Sequence, residues 1–147
     1  MAYNETNLVG EILDFITLNY PVFAWRQNTV GVYDPKKRIF RKNNSKHFKT
    51  GVSDILGLYA GGVFFAMEVK MPGREETLTE TQENFLVDVA SFGGVGGMVN
   101  SIDSAKAVME DCKSLLIGRG NGQEADCHVI PLSLNKKNRT KGEIEQN

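Results

Sequence analysis

The spacing of apolar and polar positions divides the chain into a helix, several strands, a second helix, one more strand and a last helix. Leu8, Ile12, Phe15 and Ile16 recur at helical spacing, which predicts an amphipathic helix over 7–19, capped by Thr6 and stopped at Tyr20-Pro21. Glu11 falls inside that apolar sector, where an acid must snorkel, find a partner or reach a metal. The plainer reading of Glu11 is an acid at the stripe edge, favoured early in a helix by the dipole. Residues 22–28 read as a strand in which Trp25 is a packing residue rather than a platform for bases. A basic hairpin follows, 29–33 with 38–41 around Asp34-Pro35-Lys36-Lys37, with proline at the second turn position.

Residues 52–59 and 63–70 read as strands joined by the tight loop Ala60-Gly61-Gly62. If Tyr59 faces Val63, the register sets Asp54 opposite Glu68 and Val52 opposite Lys70. Residues two apart share a face, so Glu68 and Lys70 point the same way and Asp54 joins them across the pair. Thr79 and Gln82 have capping-box spacing at the start of a helix carrying Phe85, Leu86 and Val89 inward. The same turn can aim Gln82 toward the carboxylates, to align the lysine, a water or a phosphate, although the cap role alone also explains it. Gly93-Gly94 ends this helix, 95–100 forms a further strand, and Ser101 or Asp103 opens the last helix. Ala105, Val108, Met109, Cys112 and Leu115 or Leu116 supply its inner stripe. The expected fold is α/β, a small mixed central sheet flanked by helices.

Two opposed carboxylates on a half-buried face repel each other and are costly to desolvate. A hard cation such as Mg2+, with Mn2+ as substitute, relieves both penalties with oxygen ligands and suits phosphate chemistry. Lys70 would then stabilise developing negative charge or orient water. The alternative is a solvated, charged strand end with no ligand. The chain has 147 residues and a net charge of −1, ordinary for one soluble domain, here 1–134 with a polar tail at 135–147. That average conceals a local bias over 26–49. Arg26, Lys36, Lys37, Arg38, Arg41, Lys42, Lys46 and Lys49, with His47 among them, stand against the single acid Asp34. Such an arm suits a phosphate backbone, although charge runs are commonly just solvated. Lys136, Lys137, Arg139 and Lys141 add a second basic group in the tail. No apolar run reaches spanning length, no secretory leader is visible and two cysteines make no framework, so a cytoplasmic protein is expected. No nucleotide-binding loop is present, so no nucleotide cofactor is expected.

Taken together, Gly51-Val52-Ser53-Asp54, Glu68-Val69-Lys70, Pro72-Gly73, Thr79-Glu80-Thr81-Gln82 with Phe85, and the Gly93-Gly94 strand resemble the PD-(D/E)XK nuclease superfamily. Within it the chain is similar to the VRR-NUC group of compact phage and bacterial proteins, over nearly all of 5–117. The resemblance implies a restriction-endonuclease-like core. Asp54 and Glu68 then stand for the metal-binding acids, the Val69 carbonyl for the third ligand, Lys70 for the catalytic lysine, Glu11 for the first-helix acid and Gln82 for the following glutamine. The superfamily's proline is absent, since Ser53 precedes Asp54. The implied activity is Mg2+-dependent cutting of branched DNA such as Holliday junctions by a homodimer. Alternatives are a flap, nicking or restriction-like enzyme of the same fold, or a DNA-binding protein without catalysis.

Overall fold

A computed structural model describes residues 2–28, 32–41 and 45–120. The polar tail with its basic group, Cys127, Lys42 and residues 29–31 of the expected hairpin lie outside the described residues. Helix α1 spans Glu5–Asn19. Its cap is Asn4 rather than Thr6. The Asn4 side chain accepts the Asn7 amide while the Asn7 side chain accepts the Asn4 amide, a reciprocal box that starts the helix two residues before the expected point. Leu8, Ile12 and Ile16 are buried as the periodicity requires, with Phe15 half-buried beside them. Glu11, placed by sequence in the apolar sector, is exposed instead and accepts the Tyr3 hydroxyl at 2.9 Å.

Four strands form the sheet in the order β1 (Val22–Arg26), β4 (Ile55–Tyr59), β5 (Val63–Val69), β6 (Val95–Val99). The first three are antiparallel and β6 joins β5 in parallel. The hairpin β2 (Val32–Asp34) with β3 (Ile39–Arg41) is a separate two-stranded ribbon. Within it Asp34 accepts the Lys36 and Lys37 amides and the Arg41 guanidinium, so the single acid of the basic stretch holds its turn together. Tyr59 does face Val63, and the pairing runs down to Ile55 against Met67. Both central strands stop one or more residues short of expectation, because at Asp54 a side chain takes over from the backbone ladder.

Strand alternation sorts the core. Ile55, Phe65, Met67 and Val69 pack with α1 and with α3 (Ile102–Gly120) on one side of the sheet. Leu56, Ala66 and Met98 pack with α2 (Glu80–Ser91) on the other. Ser101 opens α3, its hydroxyl accepting the Ser104 amide. Cys112 is buried in the first core, where burial pushes its thiol up to about 12. The connection from β5 to α2 contains a 3₁₀ turn at Glu75–Thr77 that the sequence pattern did not suggest. Glu75 fastens this turn by accepting the Gly73 amide and the Asn100 side chain. The α2 layer lies very close to its neighbours. A Cβ on Gly96 would meet the Leu86 carbonyl at 2.5 Å, so only glycine lets β6 pass beneath the helix. No helix among the described residues is long and apolar enough to cross a membrane.

The arrangement is therefore a small mixed α/β fold with a central sheet flanked by helices, as expected. Trp25 is a departure. Instead of being packed away, it stands 36% exposed on the side of β1 that α2 leaves uncovered.

Candidate functional site

The site grows from one strand end. Beyond Met67 the alternation of β5 turns Glu68 and Lys70 toward the α2 side, the face shared by Ala66. Both are buried, Glu68 at 2% exposure and Lys70 at 7%. Charged side chains are almost never this buried unless paired, and these are: Lys70 Nζ donates to Glu68 Oε1 at 3.0 Å. Extending the register by one residue from Ile55–Met67 sets Asp54 across from Glu68. The Asp54 Oδ2 accepts the Val69 amide at 2.9 Å, which replaces the next rung of the ladder and fixes the carboxylate over the end of β5. In an antiparallel pair the amide and carbonyl of one residue face the same neighbour. The Val69 carbonyl therefore points to the Asp54 side as well.

Gln82 completes the cluster from α2. Its Oε1 accepts the Thr79 amide at 2.9 Å, and Thr79 Oγ1 accepts the Gln82 amide at 3.3 Å. An amide nitrogen can only donate, so this box dictates which end of the Gln82 side chain is left. That end, Nε2, donates to Glu68 Oε1 at 2.5 Å. The cap and the inward orientation are thus one device, not alternatives. Gly51 brings the other strand to it: with φ of 71° and a would-be Cβ 2.4 Å from the Thr81 carbonyl, it lets the approach to Asp54 run against the first turn of α2.

The electrostatics are lopsided. Glu68 Oε1 receives two donors, whereas Oε2 is buried and has no partner. The Glu68 carboxyl is raised from 4.5 to about 7, first by burial and then by the charge of Asp54, with Lys70 pulling the other way and Glu5 adding a further push. A carboxylate oxygen sealed from water beside a second carboxylate is costly to leave so. A hard divalent ion fits this gap by its chemistry. Asp54, Glu68 Oε2 and the Val69 carbonyl are all oxygen donors, and Mg2+ is commonly held by one or two carboxylates with the rest of its shell from water and phosphate. Among the described residues no three His, Cys, Asp or Glu side chains converge.

Among the acids of the first helix, Glu5 adds the smallest of the upward pushes on the Glu68 carboxyl. Starting α1 at Asn4 puts Glu5 in its first turn, a position that a Thr6 cap would leave outside the helix. Glu11 is engaged with Tyr3. Ser53, buried with an unpartnered hydroxyl next to Asp54, carried no sequence signal.

The basic residues are dispersed in their engagements. Arg41 is held by Asp34, whose carboxyl sits below its ordinary range chiefly through that hydrogen bond. Lys49 pairs with Asp88 of α2 at 2.8 Å, and Arg26 reaches Thr6 at 3.4 Å. Lys36, Lys37, Arg38, Lys46 and His47 are exposed. Comparison with protein-family models, curated proteins and solved structures gives no match, so the geometry of the site stands on its own.

Proposed function

We propose that the protein is a divalent-metal-dependent endonuclease acting on branched DNA, with Asp54, Glu68 and Lys70 at its centre. The observation that carries this reading is the partnerless, buried Glu68 Oε2 beside Asp54, while Lys70 and Gln82 occupy the other oxygen. Structural ion pairs satisfy their oxygens; this one keeps one oxygen bare, and the bare one suits a cation. The helix–strands–helix–strand–helix order around a mixed sheet is compatible with the restriction-endonuclease-like core that the resemblance implies.

When bound, Mg2+ would polarise a phosphoryl oxygen and lower the cost of charge on the departing oxygen. Asp54 and Glu68 hold the charge that recruits it, and the Val69 carbonyl adds a neutral oxygen. Lys70, tethered by Glu68 Oε1, orients the attacking water and offsets negative charge gathering at phosphorus. Gln82 keeps Glu68 from rotating, so that Oε2 stays turned to the ligand. Lys36, Lys37, Arg38, Lys46 and His47 offer backbone phosphate contacts, which position DNA without reading its sequence. A symmetric junction needs two cuts, hence two copies of the site in a homodimer.

The test is product mapping on equimolar four-way junction, flap and linear duplex DNA in Mg2+, using the full chain. Paired symmetric nicks in the junction support the reading. Preferential cutting of flap or linear DNA keeps the chemistry and moves the substrate. No cutting with either Mg2+ or Mn2+ rejects the enzyme and leaves a DNA-binding protein.

A further inference from the structure

Strands β1 and β4 turn an apolar surface to solvent on the α2 side of the sheet. Phe23 is 70% exposed, Leu58 40% and Trp25 36%. Phe23 is paired with Leu58, and Trp25 with Leu56. The Phe23 and Trp25 rings lie 5.6 Å apart at 47°, and Trp25 Nε1 donates to Gln27 Oε1 at 3.3 Å. Neither ring belongs to a core cluster, so most of Phe23 and part of the Trp25 ring are open to a ligand.

Position relative to the carboxylates indicates which ligand. Asp54 lies just before β4, two residues from Leu56 and in continued register with Gln27 and Glu68, so the Trp25–Leu56 row runs about 7 Å from the Asp54–Glu68 row. The two rows are joined across the strands, because the Gln27 amide donates to the Asp54 carbonyl at 2.7 Å. Neither Val22–Arg26 nor Ile55–Tyr59 contains an acid. Next to Leu58, its partner Phe64 lines a cleft of about 400 Å³ together with Lys49, which is paired with Asp88. Open ring faces on strands without acids, one nucleotide's reach from the proposed phosphodiester site, match the way proteins stack the bases of single-stranded nucleic acid.

We propose that Phe23 and Trp25 form a stacking platform for one or two unpaired bases next to the phosphodiester held at Asp54 and Glu68. This rests on the nuclease reading and sharpens it: the preferred substrate carries unpaired nucleotides at the cut, as at a flap base or an opened junction. Stacking on a neutral ring tolerates any base, so selection is for strand structure and not for sequence.

Trp25 is the only tryptophan in the chain, so its emission reports the platform directly. The experiment titrates the full chain with a thymidine oligonucleotide, a flap, and a blunt duplex in Ca2+ without Mg2+, reading tryptophan quenching and Kd together. Expected is strong quenching by the oligonucleotide and flap, and weak quenching by the duplex. Trp25→Leu should lower the preference for unpaired over duplex DNA by roughly ten-fold, with Phe23→Leu in the same direction and Trp25→Phe restoring most of it. Circular dichroism checks that each variant folds. Equal preference in wild type and Trp25→Leu overturns the proposal, as does an emission change that follows protein concentration and not DNA, which would assign the face to a second copy. Cutting is scored separately in Mg2+. Retained cutting with no change in preference removes the platform alone, whereas platform binding without cutting removes the nuclease reading alone.

Discussion

Replacing Glu68 by Gln should make the metal-free protein more stable while abolishing its proposed activity. The magnitude follows from the site. Burial and the charge of Asp54 raise the Glu68 carboxyl from 4.5 to about 7, and this is the net result after the opposing pull of Lys70. At 1.36 kcal/mol per pH unit, keeping Glu68 ionised in the fold costs about 3 kcal/mol at pH 8. The sign is set by linkage. With the folded value above the unfolded one, the fold binds the proton more tightly, so this stability is fully present below about pH 4.5 and is lost as pH rises through about 7. Gln imitates the protonated form and retains an acceptor for Lys70 Nζ and Gln82 Nε2. In EDTA at pH 8 the variant should therefore melt higher by roughly 10 °C, at about 3 °C per kcal/mol for a domain of this size. The difference between the two proteins should shrink toward zero at pH 4.5. Thermal melts of both across pH 4.5–8.5 isolate Glu68, because other titrating groups are common to them. A variant that melts below the wild type at pH 8, or a difference that does not depend on pH, would refute the reasoning.

The same electrostatics predict that Mg2+ raises the wild-type melting temperature at pH 8 and flattens its pH dependence, whereas Glu68→Gln gains little; calorimetry at fixed ionic strength checks this. Gln82→Ala removes both the acceptor of the Thr79 amide and a donor to Glu68, and should cost about 1–2 kcal/mol in chemical unfolding while lowering the cutting rate more than DNA affinity. Gly51→Ala forces a side chain onto the Thr81 carbonyl at positive φ and should destabilise by at least about 2 kcal/mol, with faster hydrogen exchange at the start of α2 as the local readout.

Where local chemistry decides, the sequence was legible. The Ala60-Gly61-Gly62 loop leaves one economical pairing, Tyr59 with Val63, and from that pairing the two acids fall opposite each other. The capping-box spacing of Thr79 and Gln82 located the start of α2, and apolar periodicity located the buried faces of α1 and α3. Where two local solutions compete, the sequence was less legible. Asn4 and Thr6 can both cap a helix, and the reciprocal bonds with Asn7 favour Asn4, which brings Glu5 into the first turn, while Glu11 is exposed and accepts the Tyr3 hydroxyl. Trp25 reads as a packing residue because it sits in strand sequence; only the layer arrangement shows that α2 covers β5 and β6 and leaves β1 open. Charge counting over 26–49 likewise could not reveal that Arg41 belongs to the Asp34 turn.

The most direct measurement is single-turnover cleavage of a labelled four-way junction by wild type, Asp54→Asn and Glu68→Gln, each shown to be folded, with Mg2+ and with EDTA. The account predicts cutting by the wild type that requires Mg2+ and is lost in both variants while DNA affinity persists. Cutting that survives in either variant, or that proceeds in EDTA, would contradict it.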